Sequence, residues 1–433
     1  MIHSVREMGQ RALLIELATE KDRPHLSAHL RQSPLPGQVE VIPGTRTVLV
    51  DFRRRRDALA AMKLAKRLKV RRRRDADAEQ DAPETADGGL MTLPGSFAPC
   101  LGLDDREAVV EVLDVGGRPD RVLVQDMGRF GFGEAGVGRS GSVDLVAARQ
   151  ANRLVGNDDS AAVFEVRSGE LSLRIWQTSI LAAAGAEVSM EIITEELVPI
   201  SRGGTDAART ASRSRAVPVR APFWVFPGET LRLGPVQRGV YAYLGISGGL
   251  DAPLRLGSAS TDLGARIGPA PVQPGHRYAL AGAASRFVGI ASVAPTPLPP
   301  LDAPTVLRYV PGPREEYFGT RRAAAAGLSR LEGQPWEAME PSGRAGLRLD
   351  GDDPIRRTQS EPLAAEPLIR GAICVCAAGQ PTIALAEHPV TSTDPVLGVV
   401  VREDLALVAQ LRAGAQVRFQ AVDPESLGAV RPR

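Results

Sequence analysis

From residue 109 onward the chain is built of short apolar runs broken by glycine and proline, the texture of strands and tight turns. Strands are predicted at Arg121–Gln125, Leu171–Trp176, Phe223–Phe226, Val240–Ile246 and Arg277–Leu280. A second series follows at Val306–Val310, Gly346–Leu349, Ile373–Val375, Thr382–Ala386, Leu397–Val401 and Gln416–Gln420. Regular turn signals between short strands argue for barrels or sandwiches. One helix interrupts them, Val143–Val155, with Ser142 as its predicted N-cap and Gly156 as its C-cap. Val143, Val146, Ala147, Ala151 and Leu154 give it one apolar face.

The first 70 residues have a different pattern. Strand-like segments at Ile2–Val5, Ala12–Leu17, Val39–Ile42 and Thr47–Phe52 enclose a helix near Lys21–Gln32, and a second helix runs from about Arg55 to Lys69. Ala61, Leu64, Ala65 and Leu68 form its expected apolar stripe, and Pro36-Gly37 and Pro43-Gly44 mark turns. A β-α-β-β-α order suggests a small α+β, ferredoxin-like sandwich. The predicted organisation is therefore a small domain over 1–70, a charged linker over 71–108, a β-rich half over 109–294, a Pro-rich hinge over 295–304 and a second β-rich half over 305–424.

Composition narrows the function classes. The chain has 433 residues, 43% apolar and 24% charged, an ordinary globular balance with room for two to three domains. Three cysteines give no disulfide framework, and the N-terminus is too charged for a signal peptide. No uncharged apolar run is long enough to cross a bilayer. A soluble cytoplasmic protein that binds no membrane is expected. No lysine lies beyond Lys69, so a Walker-A loop, a Schiff-base lysine or a kinase lysine has no candidate in most of the chain. Arginine and backbone N–H groups must do any anion binding there.

Residues 1–74 carry 18 basic and 7 acidic side chains, and residues 75–87 carry six acids and no base. The runs Arg53–Arg56 and Arg71–Arg74 could meet nucleic acid, but no aromatic residue lies between Phe52 and Phe97 to stack on bases. Nucleic acid is not an expected partner. Lys63, in Ala-Met-Lys-Leu, sits where a biotin-attachment sequence would carry its lysine, yet helix formers flank it, and a surface helix lysine is expected.

Candidate chemistry starts at Gln125-Asp126-Met127-Gly128-Arg129-Phe130-Gly131. Glycines there admit a ligand to the backbone, Arg129 offers a fork for a carboxylate or phosphate, and Asp126 could hold a metal or accept a proton. A turn capped by Asp126 and pinned to Arg129 is the plainer alternative. Ser140-Gly141-Ser142-Val143-Asp144 leads into a helix N-terminus, which suits either an anion or simple capping. Cys374 and Cys376 alternate on a strand and are expected to pack rather than bind zinc. Glu387-His388 places an acid beside a base, whereas His276 lies in a Pro-Gly-His turn expected to be exposed.

The stretch from Val124-Gln125-Asp126-Met127-Gly128-Arg129 through Ser140-Gly141-Ser142-Val143-Asp144 to Ala151-Asn152-Arg153-Leu154-Val155-Gly156-Asn157 resembles the C-type subunit of bacterial 5-oxoprolinase. That family is also called allophanate hydrolase subunit 2 or the biotin-dependent carboxyltransferase family. Glu165, Tyr243–Leu250, Leu256–Thr261, Gly346–Leu349, Gly371–Ile373, Gly379–Pro381 and Ala409–Gly414 continue the match. Gly9–Leu14, Pro36–Glu40 and Pro43-Gly44 resemble the start of the B-type subunit of the same enzyme, whose second domain has no counterpart.

The resemblance implies a mainly β fold, two cyclophilin-like barrels behind the small α+β domain. It also implies ATP-driven opening of 5-oxoproline to glutamate, with ATP and a possible divalent metal as cofactors and A- and B-like 5-oxoprolinase subunits as partners. Asp126, Glu387 and His388 then become the expected catalytic groups. Gln125, Gly128, Arg129, Ser140, Gly141 and Asp144 become the expected substrate or anion contacts, with Gly248, Gly249 and Ser258 lining the cleft. One loop departs from the family: Ser392, Thr393 and Asp394 stand where it has Gly-Gly-Tyr. A carboxyltransferase component served by a separate biotin carrier, or a non-catalytic regulatory module, are the alternative readings.

Overall fold

The structure is a computed structural model that describes residues 2–68, 97–98, 107–199, 208–288, 296–319, 325–340, 342–359 and 363–425. Most of the predicted 71–108 linker, including Arg71–Arg74, lies outside the described residues. The chain forms two compact units. The first comprises Met1–Thr92, Arg129–Arg139 and Pro300–Arg433; the second comprises Leu93–Gly128 and Ser140–Pro299.

In the first unit, β1 (Ile2–Met8), β2 (Ala12–Leu17), β3 (Gln38–Pro43) and β4 (Thr47–Phe52) form an antiparallel sheet ordered β1-β2-β4-β3. Helices α1 (Arg23–Gln32) and α2 (Arg55–Ala65) complete a β-α-β-β-α sandwich with β1 added in front. The central strands are apolar on both faces because both are covered. Leu13, Ile15, Leu17, Val41, Val48, Val50 and Phe52 pack under the helices with Leu26, Leu30, Ala58, Ala61 and Ala65. Alternation sends Ala12, Leu14, Ile42 and Leu49 to the other face, against Leu368, Ala372, Cys374, Ala384, Val396 and Val399. The α2 stripe is corrected accordingly: Ala58, Ala61 and Ala65 are buried, whereas Leu64 is 47% exposed. Lys63 is exposed on that helix, as expected.

The C-terminal part of this unit is a closed barrel. Its strands are β14 (Thr305–Pro311), β15 (Trp336–Ala338), β16 (Gly346–Asp350), β18 (Ala372–Val375), β19 (Pro381–Ala384), β21 (Val396–Val400) and β22 (Gln416–Ala421), ordered β14-β21-β18-β19-β16-β15-β22. A parallel β14–β22 pairing closes it, and Leu307, Tyr309, Trp336, Ile373, Ile383, Leu397 and Val417 are fully buried. The short strands β17 (Glu366–Pro367) and β20 (Thr391–Ser392) pair beside it, and helices at Ala325–Gly333 and Leu405–Ala409 flank it. Arg314, held on its own side by Glu316 and Glu366, ties the barrel to the sandwich through Glu16.

The second unit is a curled nine-stranded sheet: β5 (Val110–Asp114), β6 (Val122–Gln125), β7 (Val163–Arg167), β8 (Leu171–Ile175), β9 (Ser179–Pro199), β10 (Ala208–Ala216), β11 (Phe223–Val225), β12 (Thr230–Ile246) and β13 (Arg277–Tyr278). The long strand β12 shifts register three times along β9, and such bulges sharpen the local twist and bend that curl a sheet. Helix α3 (Leu145–Leu154) packs its alanines on β12, where Gly245 lets Ala151 approach closely. Its N-cap is Asp144, not Ser142, and Val146 is 43% exposed. The mainly β fold with a small α+β domain in front is thus as the sequence indicated, one half closed and the other curled open.

Candidate functional site

Most of the predicted anion contacts gather in the second unit around one carboxylate. Asp126 Oδ1 accepts the Gly128 N–H at 2.7 Å, the Ser258 hydroxyl at 2.7 Å and the Ser260 hydroxyl. Its Oδ2 accepts the Ala259 N–H at 2.7 Å, and its carbonyl accepts both the N–H and hydroxyl of Ser142. Gln125 and Ser140 both donate to the Thr261 carbonyl, at 2.8 and 3.0 Å. Gly141, at φ +85°, lies where a Cβ would come within 2.8 Å of the Gly128 nitrogen. Gln125, Asp126, Gly128, Ser140, Gly141 and Ser258 therefore form one knot of crossing turns. The Asp126 oxygens are filled by protein donors, an arrangement that locks backbone rather than presenting a base.

Asp144 belongs to a different buried network. Its carboxylate caps α3 through the Val146 and Ala147 N–H groups, and its own N–H donates to the Tyr243 hydroxyl at 2.7 Å. Tyr243 in turn donates to Glu165 at 2.7 Å, and burial with two nearby carboxylates raises its pKa. Gly248 and Gly249 form a left-handed turn after β12, held by Asn157 accepting the Gly248 N–H. These residues tie α3 and the turn after β12 to the interior strands β7 and β12.

The first unit holds the remaining predicted residues, Arg129, Glu387 and His388. Arg129 is 1% exposed, and its N–H donates to the Arg139 carbonyl at 2.9 Å. Glu387 and His388 do not form the expected acid–base pair. Glu387 is bound by Arg344, Nε to Oε1 at 2.5 Å, with its N–H on the Arg344 carbonyl. The His388 Nδ1 lies 2.8 Å from the Pro389 carbonyl oxygen. A carbonyl only accepts, so Nδ1 carries the proton and Nε2 presents a lone pair. Burial pushes the imidazole down to about 4, and the charges of Arg370 and Arg139 add to this against the Pro389 carbonyl. His388 is a neutral hydrogen-bond acceptor near neutral pH.

Arg139, from the mid-chain segment of the same unit, is gripped from the sandwich. Its Nε donates to Glu40 at 2.6 Å and its Nη2 to Asp51 at 2.7 Å, with the Phe130 ring 4.8 Å from the guanidinium carbon. Glu40 and Asp51 stand directly opposite each other on β3 and β4, on the face turned away from the helices. Like charges so placed repel unless a cation joins them. Although burial opposes its charge, Asp51 and Glu40 raise the Arg139 pKa. Arg11 is also near; its pKa is lowered by burial and by Arg402 and Arg139, against Asp51. The altered loop is firmly built: Asp394 accepts from Arg357 at 2.5 Å, and Thr391-Ser392 pair with β17.

The sequence reading missed Glu40, Asp51, Arg139, Arg344 and Arg370. A signal existed for two of them, since Glu40 and Asp51 are acids inside otherwise apolar strands (Val-Glu-Val-Ile and Val-Leu-Val-Asp-Phe). His276 is half-buried rather than exposed, and burial lowers its pKa. Cys374 is buried, which pushes its thiol up to about 12 and makes it inert packing. Among the described residues no three His, Cys, Asp or Glu side chains gather as metal ligands, and no helix is long and apolar enough to cross a membrane.

Comparison with known proteins matches residues 135–421 to the family described as carboxyltransferase domain, subdomain A and B, and residues 3–115 to carboxyltransferase domain, subdomain C and D. The C-type 5-oxoprolinase subunit of Escherichia coli is 30% identical over 68% of this chain and 86% of its own. The crystal structure of TTHA0988 aligns with a TM-score of 0.71 at 21% identity, covering 96% of this chain and 100% of that one. The K. lactis urea amidolyase aligns with a TM-score of 0.60 at 22% identity, over 88% of this chain and 23% of that one.

Proposed function

The chain belongs to the carboxyltransferase-domain family, with segments matching subdomains A and B and subdomains C and D in one polypeptide, and on that basis we propose that it is a component of a 5-oxoprolinase-type amidohydrolase. The substrate is 5-oxoproline or a related small cyclic amide, and A- and B-like subunits complete the complex. Its similarity to the C-type subunit of 5-oxoprolinase supports the reaction class. The observation that carries the site is His388, whose Nδ1 lies 2.8 Å from the Pro389 carbonyl oxygen, so that Nε2 is its acceptor nitrogen.

A lactam presents an N–H donor and a carbonyl acceptor. The Nε2 lone pair accepts the amide N–H and so fixes the ring's orientation. Glu387, held by Arg344, keeps the backbone under His388 in place. ATP supplies the driving force by activating the unreactive amide. No lysine follows Lys69, and among the described residues no three His, Cys, Asp or Glu side chains gather to hold the divalent ion of a metal–nucleotide complex. We therefore assign nucleotide handling to the partner subunits and derive no step through it here.

The test is phosphate release from ATP with 5-oxoproline, using this chain with and without A- and B-like subunits. Release that depends on 5-oxoproline is expected in the full complex, falling about 100-fold in His388→Ala. No such release in any combination refutes the reading. Transfer of a carboxyl group from a biotinylated carrier to urea would establish the second reading, carboxyl transfer, which the family description favours.

A further inference from the structure

Helix α2 turns one face to the sheet and the other to solvent. Ala58, Ala61 and Ala65 are buried against the strands, with Met62 and Leu68 packed beside them. Away from the sheet Arg53, Arg54, Arg56, Lys63, Lys66 and Arg67 are all exposed. Asp57 is the only acid in residues 53–67, and it is half-buried, 3.7 Å from Arg56. Leu59 and Leu64, 37% and 47% exposed, stand among these cations. At the start of the helix Gly37, Gln38, Arg53, Arg54 and Asp57 line a cavity of about 440 Å³, large enough to take in an acidic side chain. So many like charges on one face repel one another and favour a partner of opposite sign.

Three classes of polyanion compete for such a face. A lipid surface needs an apolar face to bury, and the apolar stripe of α2 is already packed on the sheet. A nucleic-acid strand gains from aromatic side chains on which its bases stack, and none lies between Phe52 and Phe97. Leucines set among cations match a protein interface instead, where an apolar centre is ringed by charge.

We propose that the outer face of α2 is a docking surface for an acidic segment of a partner protein. Its carboxylates meet the arginine-lined cavity and then Arg56, Lys63 and Arg67, which helical spacing keeps on one side, while its apolar side chains cover Leu59 and Leu64. This surface goes beyond the amide chemistry and does not depend on it.

The test titrates the full chain into labelled acidic peptides of about twelve residues and follows fluorescence anisotropy. One peptide is all glutamate, and a second carries the same charge with leucines interleaved. Wild type should bind both, the leucine peptide at least about threefold more tightly, and added salt should weaken both. The triple variant Arg56→Gln, Lys63→Gln and Arg67→Gln should bind about tenfold more weakly, since each exposed pair contributes a factor of a few. Arg118→Gln, Arg232→Gln and Arg286→Gln together remove the same charge from exposed positions of the other unit, and should change affinity less than about twofold. Leu59→Ser with Leu64→Ser should erase the preference for the leucine peptide and spare the all-glutamate one. Equal losses in the two triple variants overturn the proposal, because total charge and not this face would then bind. Tighter binding of duplex DNA or of phosphatidylglycerol vesicles than of either peptide, weakened by the α2 variant, overturns the choice of partner. Peptide binding that appears only when Asp75, Asp77, Glu79, Asp81, Glu84 and Asp87 are all changed to their amides gives the face to the chain's own acids and overturns it too. No binding of either peptide by wild type has the same consequence.

Discussion

Removing the Asp126 carboxylate tests whether the glycine-rich turn is a structural knot or a reactive site. In Asp126→Ala, the Gly128 and Ala259 N–H groups, each 2.7 Å from a carboxylate oxygen, lose their acceptor and cannot rotate to another. Each stranded buried N–H costs about 1–3 kcal/mol. The Ser258 and Ser260 hydroxyls can re-aim, so they add less. The total is about 4 kcal/mol, a large share of the roughly 5–15 kcal/mol that holds a folded protein together. With an m-value of about 2–3 kcal/mol per M, the urea midpoint of the second unit should fall by roughly 1.5–2 M. Asp126→Asn keeps one acceptor oxygen and should lose about half as much. The assay is urea unfolding followed by far-ultraviolet circular dichroism. A midpoint unchanged in Asp126→Ala, with activity of the complex abolished, would refute the structural reading and restore Asp126 as a catalytic group.

Two further outcomes are expected. His388 has its folded-state pKa lowered to about 4 from an ordinary 6.5, so the unfolded chain binds the proton more readily between those values. Its contribution to stability is full above pH 6.5 and is lost as pH falls toward 4, by at most about 1.4 kcal/mol per pH unit. The charges of Arg370 and Arg139 add to the effect. Denaturant midpoints measured across that range should fall less steeply in His388→Gln than in wild type. Gly248→Ala should destabilise more than Gly249→Ala. Both backbones are left-handed, which costs about 1–3 kcal/mol for alanine, but at Gly248 the new Cβ would also lie 2.4 Å from the Gly282 carbonyl oxygen. Thermal melts of the two variants check the order.

Local pattern carried the elements well where one rule dominated. The strands Ala12–Leu17 and Thr47–Phe52 were legible as apolar runs too short for a buried helix and set off by glycine and proline turn signals. The α3 cap was misplaced by two residues because Ser142 and Asp144 are both good caps, and only the Tyr243 and Val146 contacts choose between them. No strand was named over β9 and only Val240–Ile246 of β12, since glutamates along β9 and Arg232 and Arg238 in β12 interrupt the apolar runs. Leu64 and Val146 were assigned to apolar faces that tertiary packing leaves in solvent.

Composition, apolar spacing and glycine-proline punctuation were enough to determine a mainly β chain with a small α+β domain in front and no lysine chemistry beyond residue 69. Those properties depend on near neighbours and on totals, so a linear string contains them. The chemistry of the site does not work that way. Asp126 became a filled acceptor because Ser258, Ala259 and Ser260 arrive from more than a hundred residues away. Glu387 went to Arg344 rather than to its sequence neighbour because the turn after the Pro381–Ala384 strand hands its N–H and its carboxylate to Arg344, more than forty residues back in the chain. Glu40, Asp51 and Arg139 meet only when separated segments fold into one unit, and the ion pairs they form are contained in no single segment.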